Sequence, residues 1–371
     1  MVSNRYLLSP QMREYDRLAS QHIWCPYLMF FNGANFRSPV VNTDSQGFRI
    51  SKDHKGNMTD LDNLPGSNIS LFIGGSTAFG VGSTTDGTTI PSFLNERDTS
   101  SWVNFGGRAF SSTQELILFM YCRRDNWKIK NIVIFSGINS LYLSKHNTNR
   151  SKYFESFFFD SYYHEMMRQR SIRPRLPRQI LNSVLETIFP GKTNWDELTK
   201  AELIRIAIGK NNSQNNADSE NSSTLKNVPL DLEDSVSFPS MFERNIRHWK
   251  LLSQSEGVSL TFILQPVATW TGKEYSTEES TLFTEFDSSP KKNDHIKATH
   301  ASQYSSCANI CKAICESHGV RYLDMNQLFA KQNIDKKWLF VDRIHLNDCG
   351  YELAANIITQ KIIGRDGNIF I

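Results

Sequence analysis

A hydroxyl, a carboxylate and an imidazole occur in this chain in a pattern that suits nucleophilic catalysis. The apolar run at 71–73 breaks on two glycines, and Ser76 follows at once. Asp342 and His345 lie three residues apart near the other end of the chain. A serine hydroxyl is a weak nucleophile unless a base takes its proton. His345 is a candidate for that base, and Asp342 for the group that orients its ring, so these residues predict a serine esterase or acyltransferase.

Each of these residues also has an ordinary structural interpretation. Gly-Gly-Ser-Thr strings form turns, and Asp342 and His345 would make a loop ion pair or a helix cap just as well. Asn139, which follows the apolar run at 131–136, is a residue type that caps helices and closes turns. Catalysis is favoured by the combination of these residues and not by any single one.

The segments that must position these residues alternate between strand-like and helix-like patterns. Apolar runs predict strands at 69–73, 102–105, 132–136, 258–264 and 320–324, and the intervening patterns predict helices at 112–123, 242–254, 298–316 and 348–360. Strands that alternate with helices indicate a parallel sheet covered on both faces. Glycines and polar residues follow several of these strands, at the sheet edge where open α/β proteins bind ligands.

Four blocks of the chain resemble the motifs of the SGNH hydrolases, also called the GDSL esterases. They lie at 71–80, 102–110, 131–139 and 342–345, in the family's order, within a resemblance that runs from about 69 to 363. The resemblance implies a flavodoxin-like three-layer α/β/α sandwich with a mainly parallel five-stranded sheet. It also implies that Ser76 is the nucleophile, His345 the base, Asp342 its orienting partner and Asn139 an oxyanion donor.

The chain departs from the family pattern at two positions. Gly75 stands where the family has an aspartate that is not a triad member. Aligning Asn104 with the family's asparagine places Ala109 at the oxyanion glycine, with Gly106 and Gly107 as rivals. An oxyanion hole needs a backbone N–H at that point, and alanine has one. The expected oxyanion donors are the N–H groups of Ser76 and Ala109 and the side-chain amide of Asn139.

Around the core we expect an extension and an insertion. Residues 1–68 form an N-terminal extension that wraps the core, which comprises 69–140 and 242–371. Residues 141–241, after the third strand, form a helical or loop insertion that holds aromatic clusters and a flexible polar loop near 210–225. The segment 42–49 loosely resembles the lead-in of GDSL-like proteins associated with bacterial surface-polysaccharide clusters. Candidates for a substrate rim are Gly107, Arg108 and Arg49, although Arg49 fits a surface wrap as well.

Length, composition and charge narrow the classes of protein to which the chain can belong. With 371 residues, 39% of them hydrophobic, the chain can bury a large core. A net charge of +3 gives no electrostatic footprint for nucleic acid. The chain has no apolar run of 18 residues and no secretory signal, so we expect no transmembrane segment and a cytoplasmic location. Cys307, Cys311 and Cys315 recur every four residues and are interpreted as core packing.

The sequence therefore predicts a serine esterase that removes a small acyl group, with O-acetyl favoured, from a hydroxylated substrate such as a sugar or glycan. No metal or organic cofactor is expected. One alternative is an O-acyltransferase that uses the same residues on a sugar or polysaccharide acceptor. Another is a non-catalytic binding protein that keeps the fold. The oligomeric state stays open.

Overall fold

A five-stranded parallel sheet lies at the centre of the structure, a computed structural model that describes residues 3–53, 55–64, 66–145, 156–158, 237–288 and 293–366. Its strands are β1 (Ile69–Gly74), β2 (Ser101–Gly106), β3 (Ile129–Ser136), β4 (Ser259–Leu264) and β5 (Arg321–Asp324). The order across the sheet is β2-β1-β3-β4-β5, with every neighbouring pair parallel. This is the strand order of flavodoxin-like folds, so the predicted fold class is confirmed.

Helices cover both faces of the sheet. In chain order the α-helices of the described residues are α1 (Asn4–Leu8), α2 (Met12–Ala19), α3 (Ser76–Phe79), α4 (Ile90–Asn95), α5 (Ser112–Cys122), α6 (Ile138–Lys145), α7 (Phe238–Glu256), α8 (Thr277–Asp287), α9 (Asn293–Thr299), α10 (Tyr304–Ser317), α11 (Met325–Ala330) and α12 (Asp348–Lys361). Helices α5, α7 and α10 contribute to one apolar core, and α4, α8, α11 and α12 to the other. The three layers are therefore helix, sheet and helix.

The sequence of β1 explains why both faces need cover. All six residues of this strand are buried. Alternate side chains of a strand point to opposite faces, so Leu71 and Ile73 lie in the first core whereas Phe72 lies in the second. A continuous apolar run is the expected signature of such a doubly covered strand.

The predicted helix at 298–316 is interrupted. Helix α9 ends at Thr299, and the His300 side chain accepts a hydrogen bond from the Ser302 N–H and caps a 3₁₀ turn at Ala301–Gln303 before α10 begins. Within α10 the three regularly spaced cysteines are all buried in the first core. One long helix was therefore a wrong prediction, while the interpretation of the cysteines as core residues is confirmed.

The N-terminal residues build structure of their own on the core. Two short antiparallel pairs follow α1 and α2, one joining Ile23–Cys25 to Met29–Phe31 and the other Ser51–Lys52 to Met58–Thr59. A third apolar cluster joins α2 to the segment just after α3 and to the loop before the Asp342 motif; its buried members are Met12, Tyr15, Leu18, Phe36, Val41, Phe79, Val81 and Val341. The extension thus packs against the end of α3 and the segment that follows it.

The chain divides into two compact units, Met1–Phe158 with Glu233–Ile371, and Phe159–Leu232. The second unit and the polar loop near 210–225 lie outside the described residues, and the boundaries predicted for the insertion remain predictions. Both α6 and α7, which overlap the ends of the predicted insertion at 141–241, belong to the first unit. None of the helices in the described ranges combines the length and apolar character that crossing a bilayer requires.

Candidate active site

Ser76 lies where β1 meets α3. The strand ends at Gly74, Gly75 is the N-cap of the helix, and Ser76 is its first residue. A Cβ at Gly74 would lie only 2.1 Å from the Phe135 carbonyl oxygen of β3. The strand end can therefore pass its neighbour only because position 74 has no side chain. Ser76 is thereby delivered at the carboxyl edge of the sheet.

The structure brings the three predicted triad residues together. His345 Nε2 lies 2.7 Å from Ser76 Oγ, and His345 Nδ1 lies 2.8 Å from Asp342 Oδ2. A ring nitrogen against a carboxylate carries the proton, so Nδ1–H donates to Asp342 and Nε2 accepts the Ser76 hydroxyl. This is the arrangement that activates a serine oxygen for attack on a carbonyl carbon.

The carboxylate of Asp342 is held in its ionised form. Its Oδ1 accepts the N–H groups of Ile344 at 2.9 Å and His345 at 2.8 Å. Burial alone would raise the pKa of Asp342, but the charge of a protonated His345 and these hydrogen bonds outweigh burial and lower the pKa. Because the folded pKa is depressed, the stabilising contribution of this group is complete above its unfolded pKa of about 4 and is lost only under more acidic conditions.

A buried ion pair holds the loop that carries Asp342 in place. Glu279, at the start of α8, accepts the N–H groups of Leu339 at 2.9 Å and Phe340 at 3.1 Å. Its other oxygen pairs with Lys273, and both side chains are fully buried. A bridge between Phe340 and Leu346 then closes the loop around the triad residues. The position of the carboxylate and imidazole therefore depends on α8 as well as on the loop.

Asn139 lies close to the serine turn. Its Nδ2 donates to the Phe110 carbonyl at 2.8 Å, and a Cβ built on Gly75 would lie 2.7 Å from the same nitrogen. The amide thus lies against the residue that precedes the nucleophile. The Ser76 N–H is at the first position of α3 and has no acceptor within that helix. Both groups suit the stabilisation of an oxyanion.

The rival glycines at the end of β2, Gly106 and Gly107, have their N–H groups occupied. Gly106 donates to Asn104 Oδ1 at 3.0 Å, and Gly107 donates to the Gly74 carbonyl at 2.9 Å. Ala109 has a left-handed φ of 58°, in a turn closed by a hydrogen bond from the Phe110 N–H to the Gly107 carbonyl. No acceptor for the Ala109 N–H occurs within the described residues. Of the three positions, Ala109 therefore keeps its donor available.

The two candidate rim arginines lie in different surroundings. Arg49 is 2% exposed, and its guanidinium pairs with Asp86 at 2.8 Å and donates to the Gly80 carbonyl at 2.8 Å. Arg49 is therefore a structural residue beneath α3, and its placement on a substrate rim was wrong. Arg108 lies in the same turn as Ala109, after Gly107. Gly107 offers the rim no side chain and packs against the Phe110 ring.

Several supporting residues escaped the sequence analysis. Glu279 could have been found, since Ser276 and Glu279 form a capping box with the Ser-x-x-Glu spacing. Arg5 gave no signal, yet with Val341 and Asp342 it lines a cavity of about 240 Å³ beside the triad. Asn104 was used in the sequence analysis only to align the second block, and no role was predicted for it. Its side chain also donates to the Phe79 carbonyl at 3.1 Å and so ties β2 to α3.

Comparison with known proteins gives only remote similarities. No family model and no curated protein matches the chain. An acetyl xylan esterase structure is 11% identical, with 79% of this chain and 98% of that chain covered and a TM-score of 0.39. A lipase/acylhydrolase from Enterococcus faecalis is 12% identical, with coverages of 80% and 95% and a TM-score of 0.40. Similarities at this level carry no argument about activity, so function must be inferred from the geometry of the site.

Proposed function

We propose that this chain is an SGNH-type serine esterase that removes a small acyl group, O-acetyl being the favoured one, from a hydroxylated substrate such as a sugar or glycan. One observation carries the proposal. Ser76 Oγ, the His345 ring and the Asp342 carboxylate form an unbroken hydrogen-bonded chain, with heavy-atom distances of 2.7 and 2.8 Å. A merely structural loop ion pair would not need a serine hydroxyl on the remaining ring nitrogen.

The proposed reaction proceeds through an acyl-enzyme. Ser76 Oγ attacks the ester carbonyl carbon while its proton moves to His345 Nε2, and the carbonyl oxygen becomes an oxyanion. The N–H groups of Ser76 and Ala109 and the Asn139 amide donate to that oxyanion. His345 then protonates the leaving alcohol as the C–O bond breaks. Water, deprotonated by His345, attacks the acyl-serine, releases the carboxylic acid and restores the Ser76 hydroxyl.

Asp342 contributes without becoming protonated. Its carboxylate keeps the proton of His345 on Nδ1 and stabilises the imidazolium that forms during each proton transfer. The lowered pKa of Asp342 means that this carboxylate remains ionised throughout the neutral range. Acyl transfer to a sugar hydroxyl needs the same residues, with the acceptor in place of water. A comparison of released acid with acylated acceptor distinguishes the two outcomes.

The proposal is tested by hydrolysis of 4-nitrophenyl acetate. Ser76→Ala is expected to lower kcat about 10³-fold or more, because no nucleophile remains. The matched control is Ser255→Ala, which removes an exposed hydroxyl near the end of α7. Circular dichroism establishes that each variant is folded. Equal activity in Ser76→Ala and the wild type would refute the serine mechanism.

Labelling by a serine-reactive phosphonate covers the case of a demanding substrate. If the wild type hydrolyses no simple ester but incorporates one phosphonate at Ser76, the nucleophile is active and the substrate requirement is strict. If neither hydrolysis nor labelling occurs, the chain is a non-catalytic protein with this fold. Each result therefore supports or rejects the proposed mechanism.

A further inference from the structure

Arg108 occupies the turn that supplies the proposed oxyanion donor. The turn runs from Gly107 to Phe110, and Arg108 directly precedes Ala109. Gly107 donates to the Gly74 carbonyl at 2.9 Å, and the Phe110 carbonyl accepts the amide of Asn139. The backbone of Arg108 is therefore held against the end of β1, next to the residues that would surround the reacting carbonyl.

Two nitrogens of the Arg108 guanidinium are buried and unsatisfied among the described residues. Its Nε and Nη1 atoms are buried, and neither has a hydrogen-bond partner within the described part of the chain. Burial lowers the pKa of Arg108 to about 10, so the group remains charged at neutral pH. A buried charged donor without a partner is costly. A bound ion or ligand is one of the recognised reasons for a folded protein to keep such a group.

The carboxylate with the largest electrostatic effect on Arg108 among the described residues has other hydrogen-bond partners. This carboxylate is that of Asp16, which pairs with Arg5 at 2.5 Å and accepts the Tyr6 hydroxyl at 2.7 Å. Burial, and then the charge of Arg108, lower the pKa of His22 to about 4, so His22 is neutral near neutral pH. The surroundings of the guanidinium therefore keep a net affinity for an anion.

The charge of Arg108 also acts on a residue that lies beside the triad. Arg5 is within electrostatic range of Arg108 and of Asp342, and it lines the cavity beside Asp342. Arg108 in the oxyanion turn and Arg5 beside Asp342 therefore both contribute positive charge near the proposed site. A substrate group bound there would be a neighbour of the scissile ester.

We propose that Arg108 binds an anionic group of the ester substrate, a carboxylate or a phosphate, and so selects acidic over neutral alcohols. The proposal rests on the esterase function proposed above and names its substrate class. A guanidinium presents parallel N–H donors that match two oxygens of either anion. An acetylated uronic acid or an acetylated sugar phosphate fits this requirement, whereas an acetylated neutral sugar leaves the donors unpaired.

Acetate release from three O-acetylated methyl glycosides tests the proposal: a neutral galactoside, the corresponding galacturonide and a galactoside 6-phosphate. The wild type is expected to prefer an anionic substrate in kcat/KM by about 10- to 100-fold, the range for hydrogen bonds to a charged group. Preference for the galacturonide alone identifies a carboxylate, and preference for the 6-phosphate alone identifies a phosphate. Equal kcat/KM for all three would overturn the proposal.

Variants assign any preference to the guanidinium. Arg108→Gln is expected to reduce the ratio of kcat/KM for the anionic over the neutral glycoside to about one, and Arg108→Lys to restore part of that ratio. The control is Arg124→Gln, which removes an arginine that pairs with Asp62 beyond the far end of α5, at the opposite edge of the sheet. A preference that survives in folded Arg108→Gln would refute the role of Arg108.

A binding measurement separates this proposal from the proposed esterase function. Isothermal titration of free galacturonate and of inorganic phosphate into the wild type and Arg108→Gln needs no turnover. Binding to the wild type alone supports the anion site even if no ester is hydrolysed and Ser76 is not labelled. Absence of binding of both anions, together with equal hydrolysis of all three glycosides, rejects the anion site and leaves the esterase function standing.

Discussion

At the level of single residues, Gly75 has a local reason to lack a side chain. The resemblance to the SGNH hydrolases would place an aspartate at this position, and here a Cβ would approach Asn139 Nδ2 to 2.7 Å. That amide is already fixed by the Phe110 carbonyl at 2.8 Å. A side chain at position 75 would therefore push aside a proposed oxyanion donor, so the departure from the family pattern agrees with the geometry.

Gly75→Ala is expected to lower kcat for 4-nitrophenyl acetate by about 10- to 100-fold, since displacing one oxyanion donor removes part of the transition-state stabilisation. KM should change less, because the oxyanion forms only after binding. The control is Gly87→Ala, where an added Cβ meets only ordinary contacts at 3.5 Å. Full activity in Gly75→Ala beside a large loss in Asn139→Ala would show that Asn139 tolerates the added methyl group.

The individual triad residues were accessible to sequence analysis for a physical reason. Ser76 directly follows a buried strand, and Asp342 and His345 lie close together in the chain. The local sequence around these residues is therefore sufficient to identify most of the candidate site. Arg49 shows the limit, because its partner Asp86 lies 37 residues away. No local pattern indicates whether such a guanidinium points into the core or toward a substrate.

At the level of elements, the buried strands were the most predictable parts. Each is a run of apolar residues between polar or glycine-rich segments, and both faces of β1 are covered as such a run requires. Helix α8 was missed, although Ser276 and Glu279 mark its start. Its apolar residues are few, with Leu282 and Phe283 buried in the second core, and its first turn contacts the Asp342 loop through Glu279. Such contacts join distant parts of the chain, so they produce no periodic pattern in the sequence.

Glu279→Gln tests whether α8 holds the Asp342 loop in place. The substitution leaves Lys273 buried beside a neutral partner, so unfolding in urea should show a loss of about 3 kcal/mol or more. The N–H groups of Leu339 and Phe340 lose a charged acceptor at the same time. The control is Glu278→Gln, its neighbour on the solvent side of the same turn. Equal unfolding midpoints for the two variants would contradict this role.

At the scale of the whole molecule, the N-terminal extension is part of the folding unit that contains the sheet. It shares one compact unit with the core. Arg49 donates to the carbonyls of Phe79 and Gly80 at 3.1 and 2.8 Å, where α3 ends, and Tyr15 donates to the Gly80 carbonyl at 2.8 Å. An arginine at a helix C-terminus satisfies carbonyls that lack intrahelical partners. Helix α3, which begins with the proposed nucleophile, therefore has its last carbonyl groups hydrogen-bonded by side chains of the extension.

Arg49→Met distinguishes this structural role from a role in substrate binding. Removing the guanidinium leaves Asp86 buried without its partner and frees the carbonyls at the end of α3, so the free energy of unfolding should fall by about 3 to 5 kcal/mol. At temperatures where the variant remains folded, KM for 4-nitrophenyl acetate should equal that of the wild type. Lys52→Met, which breaks the partly exposed pair with Glu96 nearby, should change stability by about 1 kcal/mol or less. Wild-type stability combined with a raised KM in Arg49→Met would instead return Arg49 to the substrate rim.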